Sequence, residues 1–205
     1  MSPVVEFASF PASDAFLVDP SCIEPLCKAL SKAKGFLSAF HGLQVEDKRT
    51  IYLVIEWESI DDHMKFASTP AFAKIQEDMK PCMTGPIEMV HVNFIGDHTK
   101  PLSCPTTELV MGRPRPGKTP EDFISTIQGI FNALVGEKGF HPHATYGEVV
   151  EKPGTYYATI GWDKVEDHKK AVSAGKGKEA VSKFTEAVDP TVVHVNFKEC
   201  KECPS

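Results

Sequence analysis

From Ile51 to Trp57 the side chains alternate: Ile51, Leu53, Ile55 and Trp57 on one side, Tyr52, Val54 and Glu56 on the other. A period of two is the signature of a β-strand. Val4 to Phe10 and Ile87 to Phe94 alternate in the same way, and a shorter strand is expected from about Gly42 to Glu46. The turn signal Asp47-Lys48-Arg49 separates the two middle strands. Between strands, start and stop signals mark the helices. Ser21-Cys22-Ile23-Glu24 has capping-box spacing, Gly35 is expected to end the first helix, Ser59 precedes an acid by three residues, and Pro70 restarts the second helix after Thr69.

The same pattern then recurs. Thr50–His63 reads TIYLVIEWESIDDH and Thr155–His168 reads TYYATIGWDKVEDH; His91-Val92-Asn93-Phe94 returns as His194-Val195-Asn196-Phe197, and Lys34-Gly35-Phe36 as Lys138-Gly139-Phe140. Three blocks in one order indicate a duplicated domain. The second copy has strands at Glu108–Gly112 and Val192–Phe197 and the turn Lys152-Pro153-Gly154. Its first helix starts at Thr119-Pro120-Glu121-Asp122 and is expected to end at Gly139; Asp163 is expected to mark the start of its second. The halves are 1–98 and 105–205, joined by Gly96-Asp97-His98-Thr99-Lys100-Pro101. Each reads β-α-β-β-α-β, so the fold class is α+β: two tandem ferredoxin-like modules. One such sheet leaves a face to cover, which packing sheet to sheet into an α+β barrel would do, within one pseudo-dimeric chain or in a homodimer.

Composition narrows the function. A net charge of −6 over 205 residues argues against nucleic acid. Its local basic cluster, Arg113, Arg115 and Lys118, reads as a solvated loop. No apolar run approaches a membrane span and the first twenty residues lack a secretory pattern, so the expectation is a cytoplasmic protein with no membrane partner. Its six cysteines (Cys22, Cys27, Cys82, Cys104, Cys200, Cys203) do not recur between the copies and are expected to be free thiols. Cys200-Lys-Glu-Cys203 supplies two of the four ligands a zinc site needs, so no metal is expected. The nucleotide-binding and nucleophile-elbow motifs are missing, so no cofactor is expected.

Trp57-Glu58-Ser59-Ile60-Asp61-Asp62-His63 through Ser68-Thr69-Pro70-Ala71-Phe72 resembles the dimeric α+β barrel superfamily of antibiotic-biosynthesis monooxygenases, polyketide cyclases, haem degraders and stress-responsive barrels. Lys164 and Ala174-Gly175-Lys176-Gly177 depart from the pattern in the second copy, making that half the candidate for a decayed scaffold. The catalytic details of these relatives carry over poorly. Phe66 and Phe72 stand where the cyclase has Tyr and His, Ala67 where the haem degraders have a His ligand, and Leu53 where monooxygenases often have Asn. What the resemblance implies is a barrel pocket for a small hydrophobic or aromatic molecule.

His91 and Asn93, with His194 and Asn196, are expected to point into the barrel, and Val90, Val92 and Phe94 onto the helices. By resemblance the pocket side of the third strand is that of Leu53, Ile55 and Trp57, and of Tyr156, Ile160 and Trp162; alternation leaves the opposite side open, because Tyr52 and Val54 are apolar too. First and last strands are neighbours in this fold, which sets Glu6 beside His91 or Asn93 and Glu108 beside His194 or Asn196. A carboxylate that orients an imidazole makes a general base, suited to deprotonating a phenol or a carbon next to a carbonyl. The catalytic candidates are therefore Glu6, His91, Glu108 and His194, of a cofactor-independent monooxygenase or cyclase. The competing readings are a ligand-binding or stress-responsive barrel without chemistry, and a polar pair that satisfies only itself. His63 and His168, each beside two acids, read as surface or capping residues, and His141-Pro142-His143 as a possible metal pair on one strand face.

Overall fold

The computed structural model describes residues 3–200. By compactness the chain forms two units: the first runs up to Asn93 and is rejoined by the chain from Lys198 onward; the second is Phe94–Phe197.

The first unit contains β1 (Val4–Pro11), α1 (Asp14–Val18), a 3-10 turn (Pro20–Ile23), α2 (Glu24–Leu30), β2 (Phe36–Leu43), β3 (Thr50–Trp57), α3 (Ile60–Ala67), α4 (Pro70–Met79), a 3-10 turn (Lys80–Cys82) and β4 (Glu88–Ile95). Antiparallel pairing gives the order β4-β1-β3-β2, with β9 (Lys198–Glu199) added beyond β2. The second unit has α5 (Thr99–Leu102), β5 (Thr106–Pro114), α6 (Pro120–Leu134), β6 (Phe140–Val149), β7 (Tyr156–Trp162), α7 (Val165–Ala171), α8 (Gly175–Ala187) and β8 (Val188–Val195), in the order β8-β5-β7-β6. Both are ferredoxin-like, as the alternation predicts.

The helix starts have local causes. Ser59 accepts from the Asp62 N–H and Thr69 from the Phe72 N–H, with Pro70 in the first turn, while Thr119 and Asp122 form a reciprocal capping box. Several boundaries differ from expectation. Ser13 and Asp19, not Ser21, cap the opening turns, and the second strand runs Phe36–Leu43 rather than Gly42–Glu46. Asp163 does not cap α7. Lys164 holds that position, and Asp163 instead bonds His141 Nε2 at 2.8 Å.

Gly35 and Gly139 do not end helices, since α2 stops at Leu30 and α6 at Leu134. They stand at the entries to β2 and β6 with φ of 80° and 75°, and a Cβ on either would come within 2.5 Å of the Asp62 or Asp167 side chain. Each fixes the loop that launches the following helix, because the Gly35 carbonyl accepts from the Glu58 N–H at 2.7 Å and that of Gly139 from the Asp163 N–H at 2.8 Å. Gly35→Ala is expected to cost about 1–3 kcal/mol from left-handed strain and crowding of Asp62. Chemical denaturation checks this; an unshifted midpoint would mean the loop relaxes freely.

The apolar cores correct the assignment of strand faces. Ile51, Leu53, Ile55 and Trp57 pack in one buried cluster with Phe16, Leu26, Leu30, Phe66, Ile75 and Met79, all on helices. Tyr156, Ile160 and Trp162 do the same with Phe123, Ile127, Leu134 and Phe184. The Trp side therefore faces the helices. Glu6 pairs with Ile55 on one flank and His91 on the other, so His91 shares that side, contrary to the expected inward orientation. Val5, Phe7, Val54 and Val92 make up the opposite side, also buried. Alternation could not tell the two sides apart because both are apolar.

Candidate functional site

The helix-facing polar residues converge in each unit. In the first, Trp57 Nε1 donates to Glu6 Oε2 at 2.9 Å, His63 Nε2 lies 3.4 Å from the same oxygen, and His63 Nδ1 meets His91 Nε2 at 2.8 Å. In the second, Trp162 Nε1 donates to Glu108 Oε2 at 2.9 Å, His168 Nε2 lies 3.5 Å from Glu108 Oε1, and His168 Nδ1 meets His194 Nε2 at 2.7 Å. Rings as well as polar atoms repeat: the indole-to-imidazole centroid distances are 5.2 and 5.1 Å, and those between imidazoles 4.9 Å in both. Two independent copies of one four-residue array show that the arrangement is specified, not incidental.

The parts come from three elements. The strand register sets Glu6 opposite His91 and Glu108 opposite His194. The Trp ends the neighbouring strand, and a short loop capped at Ser59 starts α3 so that His63 comes back over the sheet. His63 and His168 are thus buried partners in the arrays rather than surface or capping residues. The sequence did carry a signal for them: Asp-His closes the longest repeated block.

Burial sets the electrostatics. Desolvation pushes the Glu6 carboxyl above the ordinary value of 4.5, opposed by the Trp57 hydrogen bond and the His91 charge. Glu108 is pushed up to about 7, again by desolvation against the Trp162 bond. A carboxyl near neutrality can hold or release a proton at working pH, which is the condition for general acid–base chemistry.

Asn93 and Asn196 are exposed and not part of the arrays, and Asn196 accepts from the Thr106 hydroxyl at 3.0 Å. Leu53, Ile55, Tyr156 and Ile160 are core residues, and both tryptophans are fully buried. The His141–His143 pair falls on an irregularity of β6, where the register shifts between His141 and Ala144, so no regular strand face presents both.

An open groove of about 570 Å³ lies beside α2, α3 and α4 of the first unit. Pro25, Ala29, Ala33, Phe66 and Ala71 give it apolar walls, and Lys28, Lys32, Lys34 and Lys65 a mainly cationic rim that also includes Asp62, 3.8 Å from Lys65. Phe66 connects the groove to the array, its ring 5.5 Å from Trp57. By the repeat alignment Lys28 and Lys32 correspond to Asn132 and Gly136, so the second unit lacks half of that rim.

The donor atoms of Glu6, His63 and His91, and of Glu108, His168 and His194, lie close enough to ligate a divalent cation. In this structure they are engaged with one another, each facing His pair at hydrogen-bond distance and each carboxylate held by an indole N–H. The arrays are accordingly read as hydrogen-bond chains.

The cysteines depart from expectation. Cys27 and Cys200 form a disulfide; Cys22, Cys82 and Cys104 are free among the described residues, and Cys203 lies outside them. β9 pairs with β2 and brings Cys200 to α2 across a sequence separation of 173, a proximity invisible in the sequence.

Fold and site together define an α+β protein built of two ferredoxin-like units, each holding a buried Glu–Trp–His–His array. Residues 25–78, α2 to α4, match the family model described as antibiotic biosynthesis monooxygenase, and the resembling segment Trp57–Phe72 lies inside that span. Among solved structures, a candidate monooxygenase from Fusobacterium nucleatum is similar at 14% identity and a TM-score of 0.69, over 97% of this chain and 94% of that one. An anthrone oxidase-like protein gives 14% and 0.69 over 98% and 94%. A candidate monooxygenase from Lactobacillus acidophilus NCFM gives 11% and 0.64 over 98% and 95%. No curated protein sequence matches. Among the described residues no helix is long and apolar enough to cross a membrane.

Proposed function

We propose that the protein is a cofactor-independent small-molecule enzyme of aromatic or secondary metabolism, in which the Glu–His–His arrays move protons for an oxygenation. The duplicated buried array carries the reading, since one carboxyl has its pKa near 7 and two imidazoles extend the path from it. His91 and His194 serve as the proton acceptors, Glu6 and Glu108 as the groups that hold the proton afterwards, and Trp57 and Trp162 orient the carboxylates. An activated phenol or anthrone fits this chemistry. Loss of a proton gives a delocalised anion that reacts directly with dioxygen; overall a CH₂ group and O₂ become C=O and H₂O. The lysine-rimmed groove suits such a ligand, with rings on the apolar walls and anionic oxygens toward Lys28, Lys32 and Lys65. The proposed setting is the cytoplasm, as one pseudo-dimeric chain or a homodimer.

The test is oxygen uptake with an anthrone, followed by identification of the ketone product. The double variant His91→Ala and His194→Ala is expected to lose about 100-fold or more in turnover, the range for removing a general base. Unchanged turnover in that variant would refute the role of the arrays. A second reading, ligand binding without chemistry, is favoured by the near-sealed arrays, whose Glu6, His63 and His91 are 7%, 3% and 3% exposed. Tight anthrone binding with no product after long aerobic incubation would establish that reading instead.

A further inference from the structure

We propose that the lysine-rimmed groove of the first unit selects aromatic ligands that carry a carboxylate away from the reacting ring, and that it takes one such molecule per chain. The inference rests on the proposed oxygenation for its choice of an aromatic ligand, and adds the group by which that ligand is recognised. At about 570 Å³ the groove is of a size that holds a small molecule. Lys28 is in the last turn of α2, and Lys32 and Lys34 follow in the loop to β2. All three are exposed and make no ion pair among the described residues. Lys65 has Asp62 at 3.8 Å, so its charge is partly answered within the protein.

The placement of these cations decides what they can hold. Phe66 is buried and its ring is 5.5 Å from that of Trp57 in the array, so the ring to be deprotonated belongs at that end of the groove. A phenol ionises at about pH 10 and arrives neutral, which gives the three unpaired lysines no charge to meet. A carboxylate is ionised throughout the neutral range, and at an exposed rim it meets ammonium groups without the cost of burying either charge. The N-terminus of α4 adds positive potential, because its cap Thr69 and its second residue Ala71 also line the groove. Lysine suits the task, since a flexible point charge can follow a carboxylate at more than one ring position.

The second unit does not repeat this chemistry. By the repeat alignment Asn132 and Gly136 replace Lys28 and Lys32, Glu137 puts a negative charge in place of Ala33, and Ala171 replaces Phe66. Among the lining positions one cation is gained, Lys176 in place of Ala71. Gly177, the counterpart of Phe72, lies so close to the end of α7 that a Cβ there would collide with the Ala171 carbonyl oxygen. The Phe66–Phe72 ring pair of the first unit, with centroids 5.5 Å apart, therefore has no equivalent. Two arrays but one acid-binding groove give the stoichiometry of one.

The experiment is a fluorescence titration of the full chain with anthracene-2-carboxylate and with anthracene-2-methanol, which has the same rings and no charge. The acid is expected to bind at least about tenfold more tightly, at one site per chain, and to lose that advantage at high salt, because exposed ion pairs are individually weak and screened. The double variant Lys28→Glu and Lys32→Glu should abolish the preference. Lys178→Glu with Lys183→Glu, the same charge change at exposed positions of α8, should leave it in place. Equal binding of acid and alcohol, two acid sites per chain, or a preference that survives the groove variant would overturn the proposal. Oxygen uptake separates this from the enzymatic reading. Acid-selective binding with no uptake from either an anthrone or its carboxylic acid would uphold the groove and refute the oxygenation. Uptake from both at equal kcat/KM would uphold the oxygenation and overturn the selectivity.

Discussion

Replacing Glu108 by Gln is expected to stabilise the protein by about 3 kcal/mol at pH 8 and to leave stability near pH 4 almost unchanged. The Glu108 carboxyl is raised to about 7 in the folded chain, against an ordinary value of 4.5. Its folded pKa lies above its unfolded one, so the unfolded chain releases this proton first as pH rises. The native state is therefore penalised progressively between about 4.5 and about 7 and uniformly above. Below that window both states are protonated and the penalty vanishes. Glutamine keeps an acceptor oxygen for Trp162 Nε1 and has no charge to desolvate. Urea unfolding at pH 4, 6 and 8 reads the effect. Parallel pH curves for the parent and Glu108→Gln would show that Glu108 titrates as an ordinary carboxyl, removing the electrostatic support for proton transfer at the second array.

Trp162→Ala is expected to cost about 3–5 kcal/mol, a large share of the stability of an ordinary domain. The indole is fully buried, its ring centroid is 5.5 Å from Phe140 and 5.1 Å from His168, and its N–H is the hydrogen-bond donor that holds Glu108. Alanine leaves a cavity and deprives a buried carboxyl of its donor at once. Trp162→Phe separates the two effects, keeping most of the ring volume while losing the N–H, and should cost about 1–3 kcal/mol. Chemical denaturation of both variants checks the ranking. Equal losses would mean that volume alone matters; a near-neutral Trp162→Ala would mean that the core collapses around the gap. Trp57 is equally buried and bonds Glu6 in the same way, so the corresponding variants of the first unit should follow the same order.

The sequence legibly specified the repeat, the βαββαβ order and most strand positions, because a period of two over six to eight residues requires no knowledge of distant partners. It also placed Glu6 beside His91 or Asn93 and Glu108 beside His194 or Asn196, which needs only that first and last strands be neighbours; the register of the folded sheet selects the histidines. The groups completing the arrays were harder to see. His63 sits in a stretch rich in acids, the composition of an exposed first helical turn, and only the crossing of α3 over the sheet turns it inward to His91.

Two matters were settled by tertiary structure alone. Both sides of β3 are apolar, so the side facing the helices could be decided only by which side Leu26, Leu30 and Phe66 cover. Likewise Cys27, His41 and Cys200 carry no common motif; they meet because a two-residue strand after the second unit pairs with β2. Local periodicity encodes what each segment is. Which buried face meets which helix, and which distant residues become neighbours, depends on long-range packing that no short window of sequence contains.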